Sequence, residues 1–183
     1  TYVQAHDILN DPEQLSQNMA LKNLHQLYLA LKKQRELRGA LDFDVVEPKI
    51  QLNRNKKIKA IRIKPRLDSH RLIEECMLLA NVSVAQFLNR SQKPCLYRVH
   101  DEPSSSKLDQ LNSCLRAFSL KLNADPSPTT LDFSRLLHAI SNSTERVFLQ
   151  KVILRSQQQA RYTAENTGHF GLGYTDYAHF TSP

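Results

Sequence analysis

Tryptophan is absent and glycine occurs only four times in 183 residues. Sandwiches and barrels built from many short strands need glycine at their turns, so this shortage points to a helix-rich chain. Cysteine is scarce as well. Cys76, Cys95 and Cys114 are scattered, odd in number and form no C-x-x-C pair. That excludes a disulfide frame or a cysteine zinc site and reads as reduced thiols in a cytosolic protein. Long apolar runs are missing too. The longest, Cys76 to Leu88, is broken by Asn81, Ser83 and Gln86 and is too short to span a bilayer, so no membrane role is expected. No secretory signal is legible, so Asn81-Val-Ser83 and Asn142-Ser-Thr144 read as chance glycosylation matches. There is no internal repeat, G-x-S-x-G, Walker A or H-E-x-x-H string. Gly171-Leu-Gly173 lacks the third glycine of a dinucleotide loop.

The residues present make ordinary globular material: 40% hydrophobic and 23% charged, enough for one domain or two small ones. The net charge is +7, from 25 basic and 18 acidic residues. It is concentrated. Lys49 to Arg71 holds nine basic residues and one acid, Asp68, for a local +8; the remainder has 16 basic and 17 acidic residues, or −1. Such a patch suits a polyanion, because neutralised phosphates release counterions. A solvated face that keeps the protein soluble is the plainer reading.

Periodicity predicts a short helix over Tyr2–Leu9, closed by Asn10-Asp11-Pro12. One long helix is predicted over Glu13–Arg38, with Leu15, Met19, Leu24, Leu27, Tyr28 and Leu31 as its apolar side and Gly39 as its stop. Leu41–Val46 reads as a strand. Ile50–Asn53 and Lys57–Lys64 read as a hairpin around Arg54-Asn55. A helix capped by Asp68 or Ser69 is predicted to reach about Asn89, with Ile73, Met77, Leu78, Val84 and Leu88 facing the core. Leu96–Val99 suggests a strand. Further helices are predicted from Ser104–Ser106 through Leu122, over Leu131–Ile140 and over Thr144–Gln159. From Arg161 the chain changes character, with three of the four glycines, three tyrosines and two histidines. The fold class is α+β, helix-dominated, with a small β ribbon or sheet.

Chemistry is harder to read. In the tail, His169 and Tyr177 could stack on bases, at about 1–3 kcal/mol per base, or simply fill the core. Glu74-Glu75 and His100-Asp101 are adjacent pairs whose side chains diverge on a helix or strand, so neither is expected to make a paired site. His169 and His179 have no carboxylate or cysteine at ligand spacing, so no metal site is expected within the chain. The residues alone show no complete active site.

Four strings change that. They are Arg38-Gly-Ala-Leu-Asp-Phe43, Arg71-Leu-Ile-Glu-Glu-Cys-Met-Leu-Leu-Ala-Asn81, Leu96-Tyr-Arg-Val-His-Asp-Glu-Pro103, and Gly168-His-Phe-Gly-Leu172 with Tyr177-Ala-His-Phe-Thr-Ser-Pro183. In order and spacing they resemble the RNB catalytic domain of the ribonuclease II and ribonuclease R family, on its ribonuclease R side, over essentially the whole chain. The resemblance implies a processive 3′→5′ exoribonuclease that hydrolyses single-stranded RNA to nucleoside 5′-monophosphates, using Mg²⁺ held by aspartates. Those aspartates, and an arginine after Thr-Ser-Pro, are expected outside residues 1–183. The chain thus resembles the central portion of a single RNB-like domain, truncated at both ends and inactive alone, without its flanking cold-shock and S1 domains. By the same resemblance Tyr2 packs on the 3′-terminal nucleotide, Phe43 stacks at one end of the bases, and Glu74 reads the sugar hydroxyl. Otherwise Tyr2 is a terminal residue, Phe43 is core, and Glu74 pairs with Arg71. Gly173-Tyr174 stands where the family often carries Ala-Leu. A cytoplasmic monomer is expected. The alternatives are a non-catalytic RNA-binding module and a helical interaction domain.

Overall fold

The computed structural model describes residues 1–43, 48–63, 65–122 and 127–181. Tyr2–Leu9 forms α1, capped by Thr1, whose hydroxyl accepts from the Gln4 amide. The predicted long helix is two helices, α2 (Pro12–Gln17) and α3 (Met19–Leu37). Asn18 leaves the helical region (φ −110°, ψ 83°) and turns its side chain onto the Leu21 N–H, capping α3. Gly39 then stops α3 at φ +72°, where a Cβ would lie 2.7 Å from the Leu131 backbone. Only glycine suits both the angle and the approach.

No strand forms over Leu41–Phe43, and the rest of that predicted strand, 44–47, lies outside the described residues, as does Lys64. β1 (Pro48–Leu52) and β2 (Ile58–Ile63) make an antiparallel ribbon. Next comes α4 (Asp68–Arg90). Asp68 and Ser69 lie inside it instead of capping it; Leu67 takes the cap position, its N–H donating to His70 Nδ1. The buried stripe of α4 runs through Leu72, Glu75, Leu78, Asn81, Val82 and Ala85, while the expected core residue Ile73 is exposed. β3 (Tyr97–Val99) leads to α5 (Ser105–Arg116), which stops short of the expected Leu122, then α6 (Thr130–Ala139) and α7 (Arg146–Ser156). A strand that periodicity missed, β4 (Arg161–Thr163), pairs antiparallel with β3. A 3-10 turn, Phe170–Leu172, sits in the tail.

The α+β class with dominant helices and small antiparallel sheets therefore holds. The largest core packs α5 against α7, with Leu111, Leu115, Phe133, Leu149 and Ile153 almost fully buried. A smaller one joins α1, α3 and α4 through Leu9, Tyr28 and Leu72. The tail ties these parts together. The Leu41 N–H donates to the Gly171 carbonyl (2.8 Å), Phe170 N–H to the His100 carbonyl (2.8 Å), and Arg98 N–H to the Tyr177 carbonyl (2.9 Å). Among the described residues no helix is long and apolar enough to cross a membrane.

Candidate functional site

The charged centre of the molecule lies where α3, the segment after Gly39 and α4 meet. Arg35, near the end of α3, donates through one nitrogen, Nη1, to Glu74 Oε1 (2.9 Å) and Glu75 Oε1 (2.6 Å). Adjacent helix residues diverge by about 100°, yet two long side chains converge on this one nitrogen. The expectation that Glu74-Glu75 could not act together is thus corrected. Arg66 bridges the other side, donating to Asp42 (2.9 Å) and to the second oxygen of Glu74. Glu74 does not take Arg71 as its partner; Arg71 Nε is buried without a hydrogen-bond partner.

The electrostatics reflect this geometry. Burial works to lower the Arg35 guanidinium, but Glu75, Asp42 and Glu74 outweigh it and hold it above its ordinary value. Burial opposes ionisation of Asp42, yet Arg66 and Arg35 keep it below the usual carboxylate range. Arg66 is likewise raised by Glu74 and Asp42 against burial. The result is a pinned carboxylate at Glu74, with each oxygen on a different arginine and lone pairs still open to a hydroxyl donor.

Tyr2 lies one turn back along α4. Its ring is half-exposed and stacks on His70 at 4.5 Å between centroids. Its carbonyl accepts from Ser69 Oγ (2.7 Å), fixing α1 on the start of α4. Tyr2 also lines a cavity of about 350 Å³ floored by Leu9, Leu72 and Ile73.

Phe43 and His169 line a different cavity, of about 920 Å³, together with Lys107, Arg155, Gln157 and Arg161. His100 sits at its floor. Its Nδ1 accepts from the Gly171 N–H (2.8 Å), so its Nε2 carries the proton and donates to the Gln158 carbonyl (2.8 Å). Burial lowers the His100 pKa. His169 lies 5.1 Å from His100 and 5.1 Å from Tyr177, ring to ring. Burial, then the proximity of His100, pushes His169 down to about 4, so at neutral pH it is an uncharged aromatic.

Tyr177 is buried, packed with Leu78 and Val82 of α4. Its hydroxyl accepts from Asn81 Nδ2 (3.2 Å). Asn81, wholly buried, also grips the backbone of Thr181, accepting from its N–H (2.7 Å) and donating to its carbonyl (2.9 Å). Beyond Thr181 the Thr-Ser-Pro string lies outside the described residues. Tyr174, at the family departure, stacks parallel to Tyr177 and lies under the Arg38 guanidinium at 4.3 Å. Gly173, at φ +66°, lets the chain pass close to the Arg38 carbonyl, which an added Cβ would approach to 2.9 Å.

The predicted site residues are therefore brought together in part. Phe43 and His169 share a cavity. Glu74 is linked to Phe43 through Arg66 and Asp42, the residue before it. Tyr2 and Glu74 share one end of α4. None of the described cavities is lined by Tyr2, Phe43 and Glu74 together. Composition misses Arg35, Arg38 and Asn81, and reads Glu75 and His100 only as members of adjacent pairs. Among the described residues no three His, Cys, Asp or Glu side chains converge to hold a metal ion.

In this helix-dominated chain the pinned carboxylate is linked through Arg66 and Asp42 to an aromatic-lined cationic cavity. The class is given by its likeness to known proteins: residues 1–183 match the RNB domain model from end to end, and the chain belongs to the RNB domain family. Its relatives narrow the type. The chain is 40% identical over 188 residues to Ribonuclease R of Escherichia coli K12 and 39% identical to that of Vibrio cholerae, in each case covering all of this chain and 23% of the relative. It thus spans about a quarter of the length of the curated relatives it matches. Among solved structures, Mycoplasma genitalium RNase R in complex with ribose-methylated single-stranded RNA superposes with a TM-score of 0.87 at 25% identity, covering 100% of this chain and 29% of that one. Yeast Ssd1, described as a pseudonuclease, shares the fold at a TM-score of 0.63 and 17% identity over 92% of this chain and 22% of that one. Fold alone therefore does not decide hydrolysis.

Proposed function

We propose that this chain is the central, strand-gripping portion of a 3′→5′ exoribonuclease that hydrolyses single-stranded RNA to nucleoside 5′-monophosphates. The observation that carries the reading is the end-to-end RNB match together with relatives named Ribonuclease R. The geometry supports it. Glu74, pinned by Arg35 and Arg66, offers a fixed acceptor for a sugar 2′-hydroxyl, the group that distinguishes RNA from DNA. Phe43 borders a cavity with Lys107, Arg155 and Arg161, a mix of ring face and cation that suits a base and its phosphate. Tyr2, half-exposed, is available to the terminal nucleotide. His169 and Tyr177 serve the strand from beneath: Tyr177 is buried, and both hold the tail that backs the cavity.

The reaction would need a divalent ion, Mg²⁺ in this reading. The family resemblance, not the described side chains, puts the aspartates that would hold it outside residues 1–183. When bound, such an ion activates water and neutralises charge on the scissile phosphate. The same reading gives the whole protein flanking cold-shock and S1 domains and makes it a cytoplasmic monomer.

The test is direct. Full-length protein with Mg²⁺ is expected to shorten an RNA from a 3′ single-stranded end, and this segment alone is expected to leave it intact. In the full-length protein, Glu74→Ala is expected to reduce the preference for RNA over the DNA analogue while leaving a folded protein. No hydrolysis by the full-length protein refutes the nuclease reading, and an unchanged preference removes Glu74 from sugar recognition.

A further inference from the structure

The cationic run from Lys49 to Arg71 does not behave as one patch. Arg66 is spent on Asp42 and Glu74, and Arg71 turns a buried Nε inward. The free charge lies on the ribbon. Residues 48–63 carry Lys49, Arg54, Lys56, Lys57, Lys59 and Arg62 and no acidic residue. Among the described residues none of these six makes an ion pair. All six are exposed.

Up to the register shift at Gln51/Leu52 the ribbon sorts its two faces. Cross-strand partners share a face, and faces alternate along each strand. Lys49 pairs with Arg62 and Gln51 with Ala60 on one side, while Pro48 pairs with Ile63 and Ile50 with Ile61 on the other. The far end is equally ordered. Asn53 Oδ1 accepts from the N–H groups of Asn55 (2.9 Å) and Lys57 (3.0 Å), and Lys56 takes a left-handed conformation at φ 57°. Arg54, Lys56 and Lys57 are thus displayed on a tied loop.

The foot of the ribbon matters most. The segments entering and leaving it are clasped by the Arg66–Asp42 bond, and the same arginine holds Glu74. The ribbon is tied to the edge of the candidate site by this clasp and is about 20 Å long, roughly the length of six extended residues.

We propose that the β1–β2 ribbon is a second RNA-contacting surface, which grips the phosphates of the strand outside the Glu74 and Phe43 site without regard to sequence. The proposal rests on the RNA reading of that site. No base-reading group is required; the cations act on the backbone, where affinity is electrostatic and salt-dependent.

The experiment uses full-length protein in EDTA, so that nothing is turned over, and fluorescence anisotropy over a range of salt. The probes are a labelled single-stranded RNA long enough to leave the site and a labelled tetranucleotide that is not. The variant is Arg54→Gln/Lys57→Gln/Lys59→Gln; Lys56 is left alone because of its left-handed backbone. Removing three cations is expected to lower the salt slope of log K by about 2 for the long RNA and to weaken it at least about tenfold near physiological salt. Tetranucleotide binding is expected to stay unchanged, and the charge-keeping variant Arg54→Lys/Lys57→Arg/Lys59→Arg is expected to bind the long RNA as the parent does. An unchanged slope overturns the proposal and makes the ribbon a solvated face. Equal loss on both probes, or loss in the charge-keeping variant, overturns it as damage to the fold. Binding of the parent to phosphatidylserine vesicles that RNA does not compete overturns it in favour of a membrane surface. Failure of hydrolysis with Mg²⁺, measured separately, would sink the nuclease reading and leave this binding result standing.

Discussion

Replacing Arg35 with methionine isolates the most consequential interaction in the molecule. The Arg35 side chain is 12% exposed and that of Glu75 only 5%. In Arg35→Met, Glu74 keeps Arg66, and Asp42 keeps Arg66. Glu75 keeps no ion pair among the described residues, only the more distant field of Arg38. The loss therefore concentrates on one buried carboxylate. Breaking a buried pair from one side costs about 3–5 kcal/mol, because the surviving charge must be desolvated unpaired. At about 2–4 °C per kcal/mol for a domain of this size, the melting temperature should fall by roughly 6–20 °C. Thermal unfolding followed by far-ultraviolet circular dichroism measures it. The companion Arg35→Met/Glu75→Leu removes both partners and should recover most of the loss, since a packed apolar pair can replace a buried ion pair at little cost. A drop below about 1 kcal/mol, the range of an exposed pair, or a double variant no better than the single one, would refute the reasoning.

Acid should destabilise the chain through His169. Its folded value of about 4 lies below the ordinary 6.5, so the unfolded chain binds the proton first; the stabilisation is complete above pH 6.5 and drains away as pH falls toward 4. His169→Gln should flatten the pH dependence of the urea midpoint in that window by up to about 1.4 kcal/mol per pH unit, and an unaltered slope would assign it to other groups. Asn81→Ala should cost about 2–4 kcal/mol by urea unfolding, because it strands the N–H and carbonyl of Thr181, and should speed protease cleavage near Phe180. Gly39→Ala should cost at least about 2 kcal/mol, since φ +72° and a 2.7 Å approach to Leu131 leave a methyl group no room; near-parental stability would show that the turn can shift.

Where local signals suffice, the sequence is legible. The turn at Asn10-Asp11-Pro12 places α1 at Tyr2–Leu9, and the Arg54-Asn55 pair places the hairpin. The break at Asn18 is hidden because the apolar spacing runs through it; only the side-chain cap on Leu21 ends one helix and starts another. The stripe of α4 escapes for a different reason. Ser69, Glu75 and Asn81 are polar and read as outward-facing, yet each is buried against a partner remote in sequence: the Tyr2 carbonyl, Arg35 and Thr181. Hydropathy cannot see such partners. β4 is three residues long and exists only because β3 is there to pair with it. Phe43 and Glu74 stand out by resemblance alone, and nothing in their neighbourhood announces Arg35 as the group holding the carboxylate.

The stretch from Gly168 to Tyr177 has a kinetic consequence. Gly168, Gly171 and Tyr177 bond to backbone laid down far earlier in the chain, at His100, Leu41 and Arg98. During synthesis those earlier groups stay open to water and to wrong partners until the glycine-rich stretch clears the ribosome. Local helices can form at once, but closure across long loops comes later and is slow. The nascent chain is therefore most vulnerable to chaperone capture and proteolysis just before this stretch emerges, and lesions in it should act on yield in the cell more than on any single contact.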